Sequence, residues 1–320
     1  MLLLASLLVA QSASNPPFVS GRLSPASTIT HTVRRRSGVL QSAMHPGSDT
    51  MASSTKKTYG AITVMHRPCS TIGATIANFV GVLGTAWPIT IYHTDSAEAS
   101  VKANKVVAAH AGTGHVSFIP TRDLGDFAEL PHGNIESYSR LLTAPAFWNS
   151  VSVDVVLVFQ TDSVLCSQSP FSIADFVQYA FIGAPWAIKS NVHPNFHSGN
   201  GGLSLRSVEA MRRIATTKAY VPGTAEDFFF VNALVEARQR GEHVLLPSLT
   251  SAAHFSFESG DLPANMSFGV HRWKGLPLET RAIIERKCPE AVLGAWGSCG
   301  RSEATAGAST PPFAAVGSLG

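Results

Sequence analysis

Residues 155–163, Val-Val-Leu-Val-Phe-Gln-Thr-Asp-Ser, decide the fold prediction for this chain. The run Val155–Phe159 is wholly apolar and rich in valine, which is typical of a strand buried on both faces of an α/β sheet. The polar residues that follow place Asp162 at the carboxyl end of that strand, where open α/β sheets bind their ligands. A carboxylate there needs a metal, a cation or backbone donors to offset its burial, although Asp162 could instead cap the next turn.

The sequence around this strand alternates predicted strands with predicted helices. Further strands are predicted at 61–65, 88–92, 116–119, 181–182, 203–205 and 244–246, and helices at 70–84, 97–109, 134–148 with a break at Pro145, 175–179, from Ser207 and from Glu226. This alternation indicates βαβ units. We therefore predict a single α/β domain over residues 58–285, with a Rossmann-type, mostly parallel mixed sheet flanked by helices.

Both ends of the chain differ in composition from its centre. Residues 1–57 predict a disordered leader or targeting segment, and residues 286–320 predict a disordered tail. Met1–Ala10 is apolar like the core of a secretory signal, the acid-free sequence up to Asp49 also suits an organelle transit peptide, and Met51 could be the true start. If this segment is a signal, we expect the domain in the secretory pathway or the Golgi lumen. If it is not, we expect the domain in the cytoplasm. No transmembrane span is predicted.

The distribution of charge argues against a polyanion partner. Six of the 24 Lys and Arg residues and one of the 21 acidic residues lie in residues 1–57, so the remainder carries 18 bases and 20 acids. A nucleic-acid-binding domain would show the opposite, a basic surface. We therefore expect no nucleic-acid partner.

The cysteines predict no zinc site. Cys69, Cys166, Cys288 and Cys299 include no Cys-x-x-Cys pair. Free thiols are favoured, and a Cys288–Cys299 bridge is the alternative in an oxidising compartment. Asn265-Met-Ser is a glycosylation sequon.

Five polar clusters fall at predicted strand ends or helix starts. They are Gln160–Ser163, Gly199–Gly202, Glu226-Asp227, Phe255–Glu258 and Gly269–His271. No Gly-x-Gly-x-x-Gly follows the first strand, and neither a Walker lysine loop nor a Gly-x-Ser-x-Gly elbow occurs. With these three kinds of site excluded, the polar clusters favour a site in which a metal ion and carboxylates act on a nucleotide-like ligand.

These clusters, with several aromatic motifs, carry a family resemblance. The motifs are Ile76–Phe79, Trp87–His93, Tyr138–Leu142, Phe147-Trp148, Phe159–Ser163, Tyr179–Trp186, Gly199–Arg206, Glu226–Phe229 and Gly269–Trp273. Over about residues 60–275 the chain resembles the DUF5672 family of fungal, algal and bacterial proteins, which is grouped with the GT-A glycosyltransferases. The resemblance implies a GT-A-like fold and transfer of a sugar from a nucleotide-sugar donor, with UDP favoured, to a carbohydrate or glycoconjugate acceptor.

The resemblance also implies a metal site. GT-A enzymes hold Mn²⁺ or Mg²⁺ with a DxD motif at a strand end, and the matching residues here are Gln160-Thr161-Asp162, which lack the first carboxylate. Asp162 and His271 are the implied ligands, and Gln160 can add a neutral oxygen. A metal there would neutralise charge on the leaving diphosphate.

Catalytic and binding residues follow from the same motifs. Glu226 and Asp227 match an acidic pair that deprotonates the acceptor hydroxyl, although acids at a helix start also complement its dipole. Residues implied to contact donor or acceptor are Gln160, Thr161, Asp162, Ser163, Trp186, Asn200, Gly201, Gly202 and Trp273. The alternatives are an ordinary tight turn for the glycine loop and core packing for the tryptophans. Glu258 is interpreted as structural.

Two other functions stay open. A non-catalytic nucleotide- or carbohydrate-binding module could have lost its first carboxylate. Another metal-dependent transferase of the nucleotidyl type would also place acidic residues at strand ends.

Overall fold

The computed structural model describes residues 56–131, 134–186, 198–260, 262–263, 265–292 and 299. All of the predicted leader except residues 56–57 lies outside these ranges, as does most of the predicted tail. Among the described residues, no helix is long and apolar enough to cross a membrane.

The described residues form two sheets. The strands are β1 Tyr59–Met65, β2 Ile89–His93, β3 Val116–Pro120, β4 Val155–Phe159, β5 Ser163–Leu165, β6 Phe181–Gly183, β7 Leu203–Ser207, β8 Ser256–Phe257 and β9 Gly269–His271. The larger sheet has six strands in the order β3-β2-β1-β4-β7-β6. Strands β1 to β4 run parallel, whereas β7 is antiparallel to both β4 and β6. The predicted mostly parallel mixed sheet is therefore confirmed.

Helices cover both faces of the larger sheet. They are α1 Ile72–Leu83, α2 Asp95–Ala103, α3 Lys105–Gly112, α4 Ile135–Thr143, α5 Pro145–Ser150, α6 Val208–Thr217, α7 Glu226–Gln239, α8 Leu249–Phe255 and α9 Leu278–Lys287. Alternate residues of β4 enter different cores because side chains alternate across a strand. Phe159 stacks on Phe79 of α1 with ring centroids 3.9 Å apart, while Val158 belongs to the core that contains Trp148 and Phe230. The prediction that this strand is buried on both faces is confirmed.

The smaller sheet brings distant segments to the end of β4. Its order is β5-β9-β8, and β5 pairs antiparallel with β9 so that Ser163 lies opposite His271. The chain passes from β4 to β5 through Gln160, Thr161 and Asp162 alone. The backbone N–H of Arg272 donates to the carbonyl of Asp162 at 3.2 Å. This register places Asp162 beside the end of β9.

Some predicted boundaries were wrong. The predicted helix 97–109 is two helices, because the side chain of Asn104 accepts hydrogen bonds from two backbone N–H groups at the start of α3. Residues 244–246 form no strand, although the carbonyl of Leu245 accepts a hydrogen bond from the backbone of Ala180. In place of the helix 175–179 there is a 3-10 turn, Ile173–Asp175, and α1 begins at Ile72 with Thr71 at its N-cap.

All four cysteines are paired, so the prediction of free thiols was wrong. The bridges are Cys69–Cys299 and Cys166–Cys288, and the proposed Cys288–Cys299 pair does not form. They join residues separated by 230 and 122 positions, a distance at which sequence spacing carries no signal. Cys288 of the second bridge directly follows α9. This helix extends past residue 285, where the predicted domain ends.

Candidate functional site

The candidate site lies at the carboxyl end of β4, between the two sheets. Gln160, Thr161 and Asp162 are half-buried there, whereas His271 at the end of β9 is buried. The Nε2 atom of His271 is 3.3 Å from Oδ1 of Asp162 and 3.1 Å from Oε1 of Gln160. On the opposite side of the ring, Nδ1 is 3.4 Å from Oε1 of Glu258. The structure therefore brings the predicted residues Gln160, Asp162 and His271 together.

The two carboxylates set the charge state of the histidine. Burial lowers the pKa of His271, but hydrogen bonding to Asp162 and Glu258, together with their charges, outweighs burial and raises that pKa to about 9. Burial raises the pKa of Asp162, yet the hydrogen bond and the charge of His271 hold it below its ordinary value. The two carboxylates therefore favour the protonated imidazole, and a cation bound at Nε2 would have to displace the proton from that nitrogen. Residues 161–162 form a turn, and the chain enters β5 directly after it at Ser163, so no helix begins at Asp162.

Gly202 makes room for the histidine. A Cβ atom on this residue would lie 2.1 Å from Cε1 of His271, closer than any real contact allows. The carbonyl of Gly202 also accepts hydrogen bonds from the Gln160 N–H at 2.8 Å and from the Ser163 hydroxyl at 3.0 Å. Ser163 is fully buried and its hydroxyl fixes the glycine loop, whereas its contact with a ligand stays a prediction.

Gly201 leaves space for the side chain of Glu226, the first residue of α7. A Cβ atom there would lie 2.1 Å from Oε1 of Glu226. Both oxygens of Glu226 accept hydrogen bonds from the guanidinium of Arg206, at 2.6 and 2.9 Å. Arg206 is fully buried, and Ser204 and the carbonyl of Gly201 accept its remaining hydrogen bonds. Both oxygens of Glu226 are thus occupied in holding the arginine, and a catalytic role for Glu226 stays a prediction.

Asp227 has a different environment from its neighbour. Its Oδ2 accepts a hydrogen bond from the Gly201 N–H at 3.0 Å, and its Oδ1 accepts one from the Phe228 N–H at 2.8 Å. Burial, followed by the charge of Glu226, raises the pKa of Asp227 to about 7, against the opposing effect of these N–H groups and Arg206. A carboxylate that titrates near neutrality can both accept and release a proton, as a general base must.

The aromatic predictions divide. Trp273 is only 2% exposed and packs in the core beside Val164 and Val270, as the core-packing alternative predicts. Trp186 is half-buried and stacks on Phe228 with ring centroids 4.6 Å apart, and Phe228 directly follows Asp227 in α7.

The two remaining predicted residues contact the backbone around the site. The Asn200 side chain accepts a hydrogen bond from the Gly202 N–H at 2.9 Å, which closes the glycine loop. The carbonyl of Thr161 accepts one from the Thr75 hydroxyl at 3.3 Å, which ties this segment to α1.

Sequence reasoning missed three residues of the site. The Tyr138 hydroxyl hydrogen-bonds to the Gln160 side chain, and burial together with the charge of Glu226 raises its pKa. Burial lowers the pKa of Lys274, while the nearby charge of Asp162 acts in the opposite direction. Glu258 contacts His271 and was interpreted as structural only. Tyr138 stood in a motif of the resemblance, and Glu258 in a polar cluster, whereas nothing in the sequence marked Lys274.

The donor atoms fit a divalent cation as a partial ligand set. Oε1 of Gln160, Oδ1 of Asp162 and Nε2 of His271 converge, and carboxylate, carbonyl and imidazole groups are accepted ligands of Mn²⁺ and related ions. In the part of the chain that the structure describes, no group of three or more His, Cys, Asp or Glu residues could hold a metal alone. Oxygens of a bound diphosphate would have to complete the coordination.

Comparison with known proteins finds a family match over part of the chain. Residues 125–271 match the model of the family described as "Protein of unknown function (DUF5672)", which confirms the resemblance. Galactosyltransferase LgtC, solved with donor and acceptor sugar analogues, is 13% identical over 76% of this chain and 98% of that one, with a TM-score of 0.42. Mannosyltransferase PcManGT from Pyrobaculum calidifontis, solved with GDP-Man and Mn²⁺, is 11% identical over 75% and 74%, with a TM-score of 0.39. These two likenesses are too remote to assign an activity, and no curated protein matches.

We expect Glu226→Gln to lower the free energy of unfolding by about 3–5 kcal/mol, because it leaves the charge of Arg206 buried and uncompensated. The measurement is urea denaturation at pH 7. Glu209→Gln, at an exposed position in the first turn of α6, is the matched control and should change stability by less than about 0.5 kcal/mol. Equal stability of the two variants would contradict a structural role for the ion pair.

We expect Gly202→Ala to lower the free energy of unfolding by about 1–3 kcal/mol, since the added methyl group must displace the His271 ring. Gly81→Ala is the control, because a Cβ atom at that position of α1 would meet nothing within 4 Å. It should stabilise by about 0.4–1 kcal/mol. Denaturation curves in which both substitutions raise stability would show that the glycine loop does not press on the histidine.

Proposed function

We propose that this chain, whose residues 125–271 belong to the DUF5672 family, is a glycosyltransferase of GT-A type. It would transfer a sugar from a UDP-linked donor to a hydroxyl of a carbohydrate or glycoconjugate. The observation that carries the proposal is the pair of sites on either side of Gly201-Gly202. Gln160, Asp162 and His271 converge on one side, and Asp227 lies on the other.

The first of these sites suits the leaving diphosphate. Asp162 and His271 would hold a divalent cation with Gln160, and such an ion neutralises the charge that develops on the leaving group. The charge of Lys274 interacts with that of Asp162, so Lys274 would supply a second positive group to the same phosphates. Oε1 of Glu258 lies 3.4 Å from Nδ1 of His271, and its negative charge on that side of the ring would favour a proton on Nδ1 and leave Nε2 to the cation.

The second site suits the acceptor. Asp227 has a pKa of about 7, so near neutral pH it can take the proton of an attacking hydroxyl. The N–H of Gly201 fixes one of its oxygens, which leaves the carboxylate in a defined orientation. Trp186, stacked on Phe228, supplies a half-buried aromatic surface of the kind on which pyranose rings pack.

A non-catalytic nucleotide- or carbohydrate-binding module is the second candidate. It is favoured by one observation: Gln160 stands where a first carboxylate is expected, and its side chain is engaged by Tyr138 and His271. The two candidates differ in turnover, since only the enzyme would consume a nucleotide-sugar.

The first experiment measures UDP binding by calorimetry with and without Mn²⁺. Asp162→Asn should weaken the Mn²⁺-dependent binding at least about tenfold and abolish turnover of UDP-sugars, because it removes the one anionic ligand. Its thermal stability should stay within about 1 kcal/mol of the wild type. Asp126→Asn, exposed and remote in sequence from the site, is the control. A fully active Asp162→Asn protein would refute the ligand role, and severe unfolding would favour a structural one.

The second experiment tests Asp227 as the base. Asp227→Asn should slow transfer about 10²–10⁴-fold while UDP-sugar binding stays nearly unchanged, because a general base acts on rate and not on donor affinity. Asp227 accepts a proton only when ionised, so wild-type kcat should rise with pH through about 7 and then level off. The charges that face it are those of Glu226, which raises its pKa, and of Arg206, which lowers it by less.

The same assay separates the candidates. Loss of binding and rate in parallel would mean that Asp227 holds the fold or the donor. A wild-type protein that binds UDP-sugars and hydrolyses or transfers none of them would favour the non-catalytic module.

A further inference from the structure

The state of the cysteines points to an oxidising compartment. All four cysteines of the chain are paired, and both bridges close long loops. Stable structural disulfides form in secreted, endoplasmic-reticulum and periplasmic proteins and are rare in the cytosol, where thiols are kept reduced. A chain with this pattern folds where thiols are oxidised.

An independent feature of the sequence belongs to the same environment. Asn265-Met266-Ser267 is the one Asn-x-Ser/Thr sequon in the chain. Asn265 is exposed in the connection between β8 and β9. A group attached to its amide would extend into solvent without displacing packed atoms.

The rest of the sequon is hidden in the folded protein. Met266 is 5% exposed and Ser267 is fully buried, with its hydroxyl donating to the carbonyl of Ala253 at 2.6 Å. The next residue, Phe268, is held by a backbone hydrogen bond to His254. An enzyme that must reach both the asparagine amide and the serine hydroxyl can do so only before this segment packs.

We infer that Asn265 carries an N-linked oligosaccharide, attached before folding in the compartment where both disulfides form. The co-substrate is a lipid-diphosphate-linked oligosaccharide. The amide nitrogen of Asn265 bonds to the anomeric carbon, the bond from that carbon to the diphosphate oxygen breaks, the nitrogen loses one proton, and lipid diphosphate leaves. Each disulfide forms by transfer of two electrons and two protons from two thiols to the disulfide of an oxidoreductase.

This inference is separate from the proposed enzymatic function. Neither Asn265 nor any cysteine is among the residues proposed to hold the cation or to act as the base. Either proposal can therefore fail alone.

The test uses the full chain isolated from the cells that make it. Peptide mapping without reductant should recover the Cys69–Cys299 and Cys166–Cys288 peptides. Digestion with peptide-N-glycosidase in ¹⁸O-water should remove a single glycan and convert Asn265 to a labelled aspartate. Digestion should also increase the electrophoretic mobility of the wild-type chain, and Asn265→Gln should abolish this shift completely. Asn149 is exposed and is followed by Ser-Val, so it lies outside any sequon, and Asn149→Gln should keep the shift.

Two further variants and a timing experiment complete the test. Ser267→Ala should lose the glycan and Ser267→Thr should keep it. The nascent chain translated in the presence of microsomes should be modified, whereas protein folded first and then added to lysed microsomes should not. An unmodified Asn265 peptide, alkylatable free cysteines, or efficient modification of the folded protein would each overturn the inference.

Discussion

The buried ion pair between Arg206 and Glu226 is the constraint on which the candidate site depends. A buried charge pair is stable only when further hydrogen bonds satisfy its remaining donors. Ser204 and the Gly201 carbonyl provide them here, while the rings of Phe181, Trp148 and Phe230 surround the guanidinium. Because Glu226 opens α7, the pair fixes the start of that helix against β7. It also places a negative charge directly before Asp227, which is one reason that the pKa of Asp227 is raised.

Two adjacent glycines connect this ion pair to the histidine. Successive residues of an extended chain direct their Cβ positions to opposite sides, so Gly201 faces Glu226 and Gly202 faces His271. A side chain at either position would collide with a group that other contacts already fix. The loop therefore lies between two acidic centres, Glu226-Asp227 on one side and the carboxylates beside His271 on the other. In the proposed transfer reaction, the base and the leaving group would act on opposite ends of one displacement.

The sequence predicted the parts of this arrangement that have a local signature. The apolar run of β4 marks a central strand, and the order of the motifs pointed to Asp162 and His271. It could not predict the pairing of β5 with β9, since strands of three residues have no measurable periodicity. The pairing of Glu226 with Arg206 could not be predicted either, because nothing in the sequence of Leu203–Ser207 indicates that its arginine is buried. The core packing of Trp273 could not be predicted for a related reason: an aromatic residue after a polar cluster has the same sequence signature whether it faces a ligand or the core.

The replacement of the first DxD carboxylate by Gln160 has a physical counterpart on the other side of His271. Two carboxylates, Asp162 and Glu258, flank the imidazole. A third acid at position 160 would stand 3.1 Å from the same ring nitrogen and next to the Tyr138 hydroxyl, and it would add repulsion between carboxylates in a half-buried site. A neutral amide avoids that repulsion and can serve both neighbours, accepting through its oxygen and donating through its nitrogen. A second carboxylate is thus present in the site, but it lies beside the far nitrogen of the histidine and not at the strand end.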